Sequence, residues 1–480
     1  LGPDRTIDDV VAAQQALETL YRDSGFGAVL VNIPEQNVEG GVVQLEIVEG
    51  RIGRLRVSGS DYFSPRRIKE QAPSLAEGNV LYLPDVQDDL TNLNKASRDR
   101  TITPVLRPGR DPGTVEVDLK VEDSSPVHGF VEVNDRYTRD TSRTRVNASL
   151  TYANLWQKEH SASLGYQTAP ENRDEVEAIY GTYLFRVPNT EWITTLYGVK
   201  TDSDVATFGT LGVIGDGTIL GFRASRPIGL IDGVFHNIVF GLDYKDFDES
   251  VQLELDPDQE TPVDYWVASA AYSFSITGEN RFTRFGAEAV VAPRFLNSQK
   301  QFFQLEETDT GVSVSGKRIN SRSNFSALRL RFNHRQQIGG DSELRLRLVG
   351  QIADSPLINN EQFSYGGIDT VRGYLEAQQF ADDGIAGQIE LYSPDWGQDL
   401  WGQLNSRFLA FFDAGFGRVQ DSLPGTQEHY DLYAVGVGLR MAIWGKLTGA
   451  LDWAKPFVDS EDRTVDSGED RLHFRVGYEF

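Results

Sequence analysis

The sequence predicts an all-β membrane protein, a 16-stranded antiparallel transmembrane β-barrel preceded by two small α+β modules. Three observations carry this reading. From Pro126 onward, segments alternate apolar and polar residues between Gly-, Asp-, Asn- and Ser-rich turns, at the length of about ten residues expected of strands that meet lipid on one face. The chain is polar on average, with a mean hydropathy of -0.37, yet it holds 18 Tyr, 26 Phe, 7 Trp and 46 Gly. Helical periodicity is confined to residues before Thr101, and no apolar run approaches the roughly 18 residues of a transmembrane helix.

Ile7–Asp23 carries the helical period, with Val10, Ala13, Leu17, Leu20 and Tyr21 on one face, and Gly25 ends it. Ala28–Ile33 and Gly41–Val48 read as strands joined by a turn across Pro34–Gly40. The order then returns. Arg51–Ser58 alternates as a strand, Ser64-Pro65 opens a short helix, and Pro84 opens a second with Val86, Leu90 and Leu93 on one face. Strands follow at Thr101–Arg107 and Gly113–Val121. Val10 and Leu17 superpose on Val86 and Leu93 at an offset of 76, and Gly41–Ile47 on Gly113–Leu119 at 72. Two copies of one module account for this, at 1–50 and 51–123. The first copy lacks an opening strand and the chain begins at Leu1, so an N-terminal truncation is expected.

Proline cannot donate to a ladder, so Pro104 puts the strand Thr101, Ile102, Thr103, Pro104, Val105, Leu106, Arg107 at a sheet edge. Such an edge accepts an extended peptide as an added strand, or the proline guards the edge against aggregation. The sequence leaves both open.

Residues 124–480 form the barrel. The late strands are clearest: Leu328, Leu330 and Phe332 alternate with Arg329, Arg331 and Asn333, and Leu344, Leu346 and Leu348 with Arg345 and Arg347. Leu472, Phe474, Val476, Tyr478 and Phe480 alternate with Arg471, His473, Arg475 and Glu479. Sixteen or seventeen strands can be counted, depending on Val205–Val213, and even numbers favour sixteen. The long polar connections Phe247–Pro262, Asn297–Ser321, Arg418–Asp431 and Lys455–Asp470 should face outward. A soluble two-sheet protein fits one regular period of sixteen strands less well than a closed barrel does.

The net charge of -25 argues against a nucleic-acid partner. The absence of Cys fits an oxidising compartment. The six His are scattered, and no P-loop or nucleophile elbow occurs, so neither enzyme activity nor a cofactor or metal is expected. Asp256/Asp258 and the Asp459–Asp470 cluster read as solvated loops.

The strand pattern breaks over 354–384, far longer than the usual connection of about 2–5 residues. Phe363, Tyr365, Val371, Tyr374, Leu375 and Phe380 speak for an ordered loop, whose centre reads G-G-I-D-T-V-R-G-Y. Alternation points Glu390 and Asp413 into the lumen from neighbouring strands, and the lumen face of the late strands is rich in Arg (Arg329, Arg331, Arg345, Arg347, Arg475). Arg372 can fold inward against the two carboxylates in a bidentate pairing, with Gly366, Gly367 and Gly373 supplying positive φ and close approach to the wall. Alternatively the carboxylates pair with arginines across strands and the loop lies outside.

Gly366, Gly367, Val371, Arg372, Gly373 and Tyr374 resemble the loop motif of the POTRA-bearing outer-membrane barrel superfamily that includes BamA. F-F-D-A-G (Phe411, Phe412, Asp413, Ala414, Gly415) resembles its partner strand motif, and Gly387…Glu390-Leu391 the strand between. The resemblance implies that the loop folds into the barrel and that Arg372 meets Asp413, less directly Glu390. Within the superfamily, I-P-E-Q (Ile33–Gln36), the run Val42–Ile52 and N-L-W (Asn154–Trp156) resemble the TpsB transporters of two-partner secretion, the ShlB/FhaC/HecB type. Members of that family carry a plug helix and linker before a complete first POTRA domain, and the expected truncation would account for neither being seen ahead of Ile7.

The resemblance implies an outer-membrane transporter with periplasmic POTRA domains, which binds a large exoprotein unfolded and secretes it through the lumen. Tyr478 and Phe480 resemble the recognition signal read by the barrel-assembly machinery. Outer-membrane lipid and lipopolysaccharide are the expected surroundings and a monomer the expected state. A barrel-assembly insertase of the BamA or TamA kind is the alternative, with a passive pore or a soluble adhesin behind it.

Overall fold

The computed structural model describes residues 6–480 except 39–40, 140, 189, 203–204, 209–210, 215, 232, 248–249, 254–255, 261, 298–302, 309–310, 314–316, 423–425 and 462–463. Two compact units emerge: Leu1–Val127 with Tyr152–His160, and His128–Thr151 with Ser161–Phe480.

In the first unit, helix Ile7–Asp23 is followed by paired strands Val29–Asn32 and Glu46–Glu49. Asp9 accepts from the Thr6 N–H at 2.8 Å, closing the first turn of the helix. The second strand is shorter than the expected Gly41–Val48. The Gln36 side chain explains this: its amide exchanges bonds with the backbone C=O and N–H of Gln44 at 2.8 and 2.7 Å, replacing a ladder partner. The second module runs as its sequence suggests: strand Arg51–Ser58, helix Pro65–Glu70, helix Leu83–Ala96, then strands Arg100–Pro108 and Thr114–Asp123. A short 3-10 turn, Pro73–Leu75, separates the helices. Thr114–Asp123 lies centrally, parallel to Arg51–Ser58 and antiparallel to Arg100–Pro108. Ile52, Ile68, Leu75, Leu93, Ile102, Val117 and Leu119 form the core. Pro104 sits on the edge strand opposite Leu119, where its missing N–H costs no ladder bond.

The second unit is built on sixteen strands: β1 Val127–Asn134, β2 Arg145–Leu155, β3 His160–Thr168, β4 Glu177–Arg186, β5 Ile193–Asp202, β6 Gly217–Ile231, β7 Val234–Phe247 and β8 Val263–Thr277. β9 Arg281–Val291, β10 Ser326–Gly339, β11 Ser342–Ala353, β12 Asp383–Tyr392, β13 Leu404–Arg418, β14 His429–Ile443, β15 Leu447–Pro456 and β16 Arg471–Glu479 complete them. Each pairs with its sequence neighbours and β16 pairs with β1, giving a closed barrel. Phe480 extends the seam, its N–H and C=O bonding Gly129 at 3.0 and 2.9 Å. Val205–Phe208 and Leu211–Ile214 pair only with each other, so this stretch adds no seventeenth barrel strand.

Because consecutive strands are antiparallel, the connections after odd-numbered strands all leave from one end. These include the long ones expected from sequence, while residues 278–280 and 340–341 make tight turns at the other end. Asp256 and Asp258, read from sequence as part of a solvated loop, lie in a short strand, Asp256–Glu260, that pairs with Ser250–Leu253 within the connection, and parts of the long connections lie outside the described residues. The outward face carries Leu328, Ile352, Ile389, Phe412 and Val437, all more than two-fifths exposed. An apolar belt of this extent far exceeds what a soluble monomer leaves bare, whereas a lipid-facing barrel requires it. No helix among the described residues is long and apolar enough to cross a membrane.

Candidate functional site: a loop latched to the lumen wall

The connection between β11 and β12 folds inward. It is more structured than the sequence suggests: strands Phe363–Tyr365 and Gln379–Ala381 pair, bringing its ends together after a 3-10 turn at Asn359–Glu361. Three-residue strands have no readable period, which is why the segment looks unpatterned.

Carboxylates hold the two ends. Glu361, buried, takes Lys245 Nζ at 2.5 Å, Arg329 at 3.0 Å and the Tyr265 hydroxyl at 2.8 Å. Asp382, also buried, takes both Nη groups of Arg318 at 2.6 and 2.7 Å and the N–H groups of Leu357 and Gln420 at 2.8 and 2.7 Å. Neither anchor was identified from sequence, because the partners come from strands and loops far apart in the chain.

At the tip, Gly366 and Gly367 have φ of 107° and 95°, and the turn closes through the Gly367 N–H to the Val371 C=O at 3.1 Å. A Cβ on Gly366 would lie 2.7 Å from the Leu375 carbonyl oxygen, and one on Gly367 would lie 2.4 Å from the Glu376 carboxyl carbon. This pair therefore makes room for the loop's own returning arm. The expectation that all three motif glycines approach the wall is corrected accordingly. Gly373, at φ 91°, does approach it, with a Cβ position 3.3–3.4 Å from Pro456 and Ala454.

Arg372 is 1 % exposed. Its Nε and Nη2 donate to the two oxygens of Asp413 at 2.7 and 2.8 Å, and its backbone N–H donates to Asp413 Oδ2 at 3.1 Å. Nη1 donates to Glu390 Oε1 at 2.8 Å and stands 3.7 Å from Asp452 Oδ1. The guanidinium carbon lies 3.5 Å from the Phe411 ring centroid, a stacked cation–π contact. Three carboxylates and an aromatic face thus surround one fixed cation, which compensates its desolvation.

The motif neighbours pack by the same alternation. Phe411 and Asp413 face inward, while Phe412 faces out. Gly415 has no side chain because Tyr365 and Val371 occupy its place; a Cβ there would lie 2.6 and 3.0 Å from them. The Tyr374 hydroxyl donates to the Val458 C=O at 2.9 Å and accepts the Val458 N–H at 3.2 Å. Val371, Tyr374 and Leu375 are buried against Ala386, Leu432, Ala434 and Val465.

Two contributors escaped sequence reasoning. Asp452 also takes Arg440 at 2.8 and 2.9 Å. His473 Nε2 accepts the Gly373 N–H at 3.0 Å, so the ring proton sits on Nδ1, which donates to Asp135 Oδ2 at 3.1 Å. Alternation along β16 already put His473 on the inner face, but its partner lies a hundred residues away. Of the remaining candidates, Tyr478 and Phe480 are outward-facing and half exposed, their rings stacked at 6.2 Å. No metal-ligand cluster occurs among the described residues.

Residues 237–441 match the model of the haemolysin secretion/activation protein family ShlB/FhaC/HecB, and residues 1–50 match the ShlB-type POTRA domain. The chain belongs to the TpsB family of outer-membrane transporters. This TpsB chain is 23 % identical over 432 residues to the outer membrane transporter CdiB of Dickeya dadantii (strain 3937), covering 88 % of this chain and 72 % of that one. It is 19 % identical over 475 residues to the heme/hemopexin transporter protein HuxB of Haemophilus influenzae (strain ATCC 51907), covering 95 % and 79 %. Among solved structures, CdiB from Escherichia coli superposes with a TM-score of 0.64 at 17 % identity, over 99 % of this chain and 85 % of that one. BamA from Haemophilus ducreyi lacking POTRA domains 1-3 superposes at 0.61 with 11 % identity, over 99 % and 94 %. The TpsB barrel lies in the outer membrane with its POTRA region in the periplasm, and the family acts in protein secretion with a secreted exoprotein partner.

Proposed function

We propose that this TpsB chain captures its partner exoprotein unfolded on the edge strand Thr101–Arg107 and passes it through the barrel lumen to the cell surface. The observation that carries the reading is how the inward loop is held. Arg372, Glu361 and Asp382 fasten it through side-chain bonds, and its only strand pairing is internal. The loop can therefore shift while every ladder bond of the sixteen strands stays made. The lumen beside it holds a cavity of about 1200 Å³. The sequence carries no nucleotide-binding loop, so folding of the exoprotein outside supplies direction. Strand addition on the POTRA edge supplies affinity through main-chain bonds. In this reading Tyr478 and Phe480 guide insertion by the barrel-assembly machinery, and the mature protein works as a monomer amid lipid and lipopolysaccharide.

The chain has no Cys, so single cysteines report cleanly. With a translocating exoprotein stalled by an engineered disulfide loop, Thr103→Cys and Asn333→Cys should each cross-link to it. A stalled exoprotein that reaches neither position would sink the lumen route.

A second reading, insertion of other barrels, draws on the likeness to BamA and on the seam, where β16 and β1 share only five registered pairs, Arg475↔Asn134 to Glu479↔Phe130. Depletion that spares secretion of the exoprotein but lowers the amounts of other outer-membrane barrels would favour it.

A further inference from the structure

The arginines of the lumen exceed what the latch requires. Eleven Arg, three acidic residues and no Lys line the cavity, although the chain as a whole carries a net charge of -25. Their pairing is stretched thin. Glu343 alone serves Arg335 at 3.0 Å, Arg345, and Arg407 at 3.7 Å. Asp369 is shared by Arg136 at 2.6 Å and Arg347 at 3.4 Å. Arg284 and Arg331, both exposed to the lumen, have no carboxylate within 4.0 Å among the described residues.

Register makes the arrangement costly. Arg335 stands directly opposite Arg345, and Arg407 directly opposite Arg440. Like charges placed directly opposite each other destabilise a sheet. Arg440 is answered by Asp452, and Arg335 and Arg345 share Glu343, whereas no such ion pair accounts for Arg284 and Arg331 among the described residues. Their chemistry is selective too. A guanidinium matches a carboxylate with two parallel bonds, whereas an ammonium acts as a point charge. The groups are also spread along the wall, from Arg284 on β9 through β10, β11, β13 and β14 to Arg475 on β16. That spacing suits an extended chain with several carboxylates better than one small anion.

We infer that the lumen carries an anion-recognition track for Asp- and Glu-rich polypeptide, with Arg284 and Arg331 as its unpaired contact points. The inference rests on the lumen-passage reading for its physiological ligand, but binding is measurable without secretion. The detergent-solubilised full chain should bind poly-L-glutamate at low ionic strength by titration calorimetry and should ignore poly-L-lysine. The double variant Arg284→Ser/Arg331→Ser should bind about tenfold more weakly, the equivalent of about 1.4 kcal/mol. Heat-modifiable gel migration verifies that the variant barrel is folded, and Arg331→Gln alone should give a smaller loss in the same direction should the double variant fail that check. Absence of poly-L-glutamate binding, or undiminished binding by the folded variants, would overturn the track. Inorganic phosphate binding as tightly as the polymer would assign the site to simple anions and overturn the polypeptide ligand. Normal secretion alongside a failed binding test would reject the track and leave the secretion reading standing.

Discussion

Arg372 and Asp413 meet through two side-chain hydrogen bonds and a third from the Arg372 backbone, in a place where the arginine is 1 % exposed and the aspartate 0 %. The pair joins a loop to a barrel strand 41 residues further along the chain. Losing either partner strands a charge away from water, so the latch is strong as a pair and fragile to single substitutions.

Arg372→Ala should leave a folded barrel in the membrane while sharply lowering secretion. Leaving Asp413 buried without its cation costs about 3–5 kcal/mol of loop docking. Arg372→Lys should rescue little, because an ammonium supplies neither the fork toward Asp413 nor the stacking on Phe411. Heat-modifiable migration, protease accessibility of the loop and secreted exoprotein measured together check this. Full secretion by Arg372→Ala would remove the proposed mechanism.

Asp413→Asn should cost more than Glu390→Gln. Asp413 takes three bonds from Arg372 in full burial, while Glu390 takes one and its side chain is 15 % exposed. A double-mutant cycle on loop protection should give the larger coupling to Arg372 at Asp413. Equal couplings would contradict the geometry.

His473→Phe should loosen the loop without unfolding β16. It removes the acceptor of a buried backbone N–H at Gly373, a loss of about 1–3 kcal/mol. Hydrogen exchange at Gly373 should quicken, and nitrogen NMR of the wild-type ring should find the proton on Nδ1.

Gly415→Val should displace the loop from the other side. Its Cβ alone would fall 2.6 Å from the Tyr365 ring, an overpacking of about 1–3 kcal/mol. The same substitution at Gly402, which has nothing within 4 Å, serves as the control and should leave loop protection unchanged.

Outside the membrane, Glu175 ties the β3–β4 connection to the β1–β2 connection. The Ser142 side chain bonds its carboxylate, and the Ser142 N–H donates to it at 2.6 Å. Chiefly the Ser142 side-chain bond holds this carboxyl below its ordinary value of 4.5. A lowered folded-state pKa stabilises above the unfolded value, so this tie should hold at neutral pH and be lost as pH falls through the folded pKa. Protease accessibility of residues 141–144 should rise on acidification in the wild type, and Glu175→Gln should reduce the pH dependence. The remainder comes from Glu171, which accepts the Thr144 N–H at 3.3 Å and is likewise held below its ordinary value, chiefly by the Thr144 side chain.

The barrel was legible because its rule is local. A strand that meets lipid on one face must alternate, so Leu328 to Asn333 and Leu472 to Glu479 announce their faces without any knowledge of their neighbours. The second module was legible for a similar reason: Ser64-Pro65 and Pro84 mark helix starts, and Pro104 marks an edge. The inward direction of Glu390 and Asp413 follows from the same alternation. The pairing around Arg372 does not, since pattern alone left the loop free to lie outside. Burial of its apolar face against Ala386, Leu432 and Ala434 and the convergence of β12, β13 and β15 decide that question, and both depend on closing the barrel. Closure also brought His473 to Gly373, Asp452 into reach of Arg372, and Arg318 to Asp382. Strand identity and side-chain face are short-range consequences of backbone geometry and hydrophobicity. Which carboxylate meets which cation is set by contacts among residues tens to hundreds of positions apart, and only the folded chain holds that information.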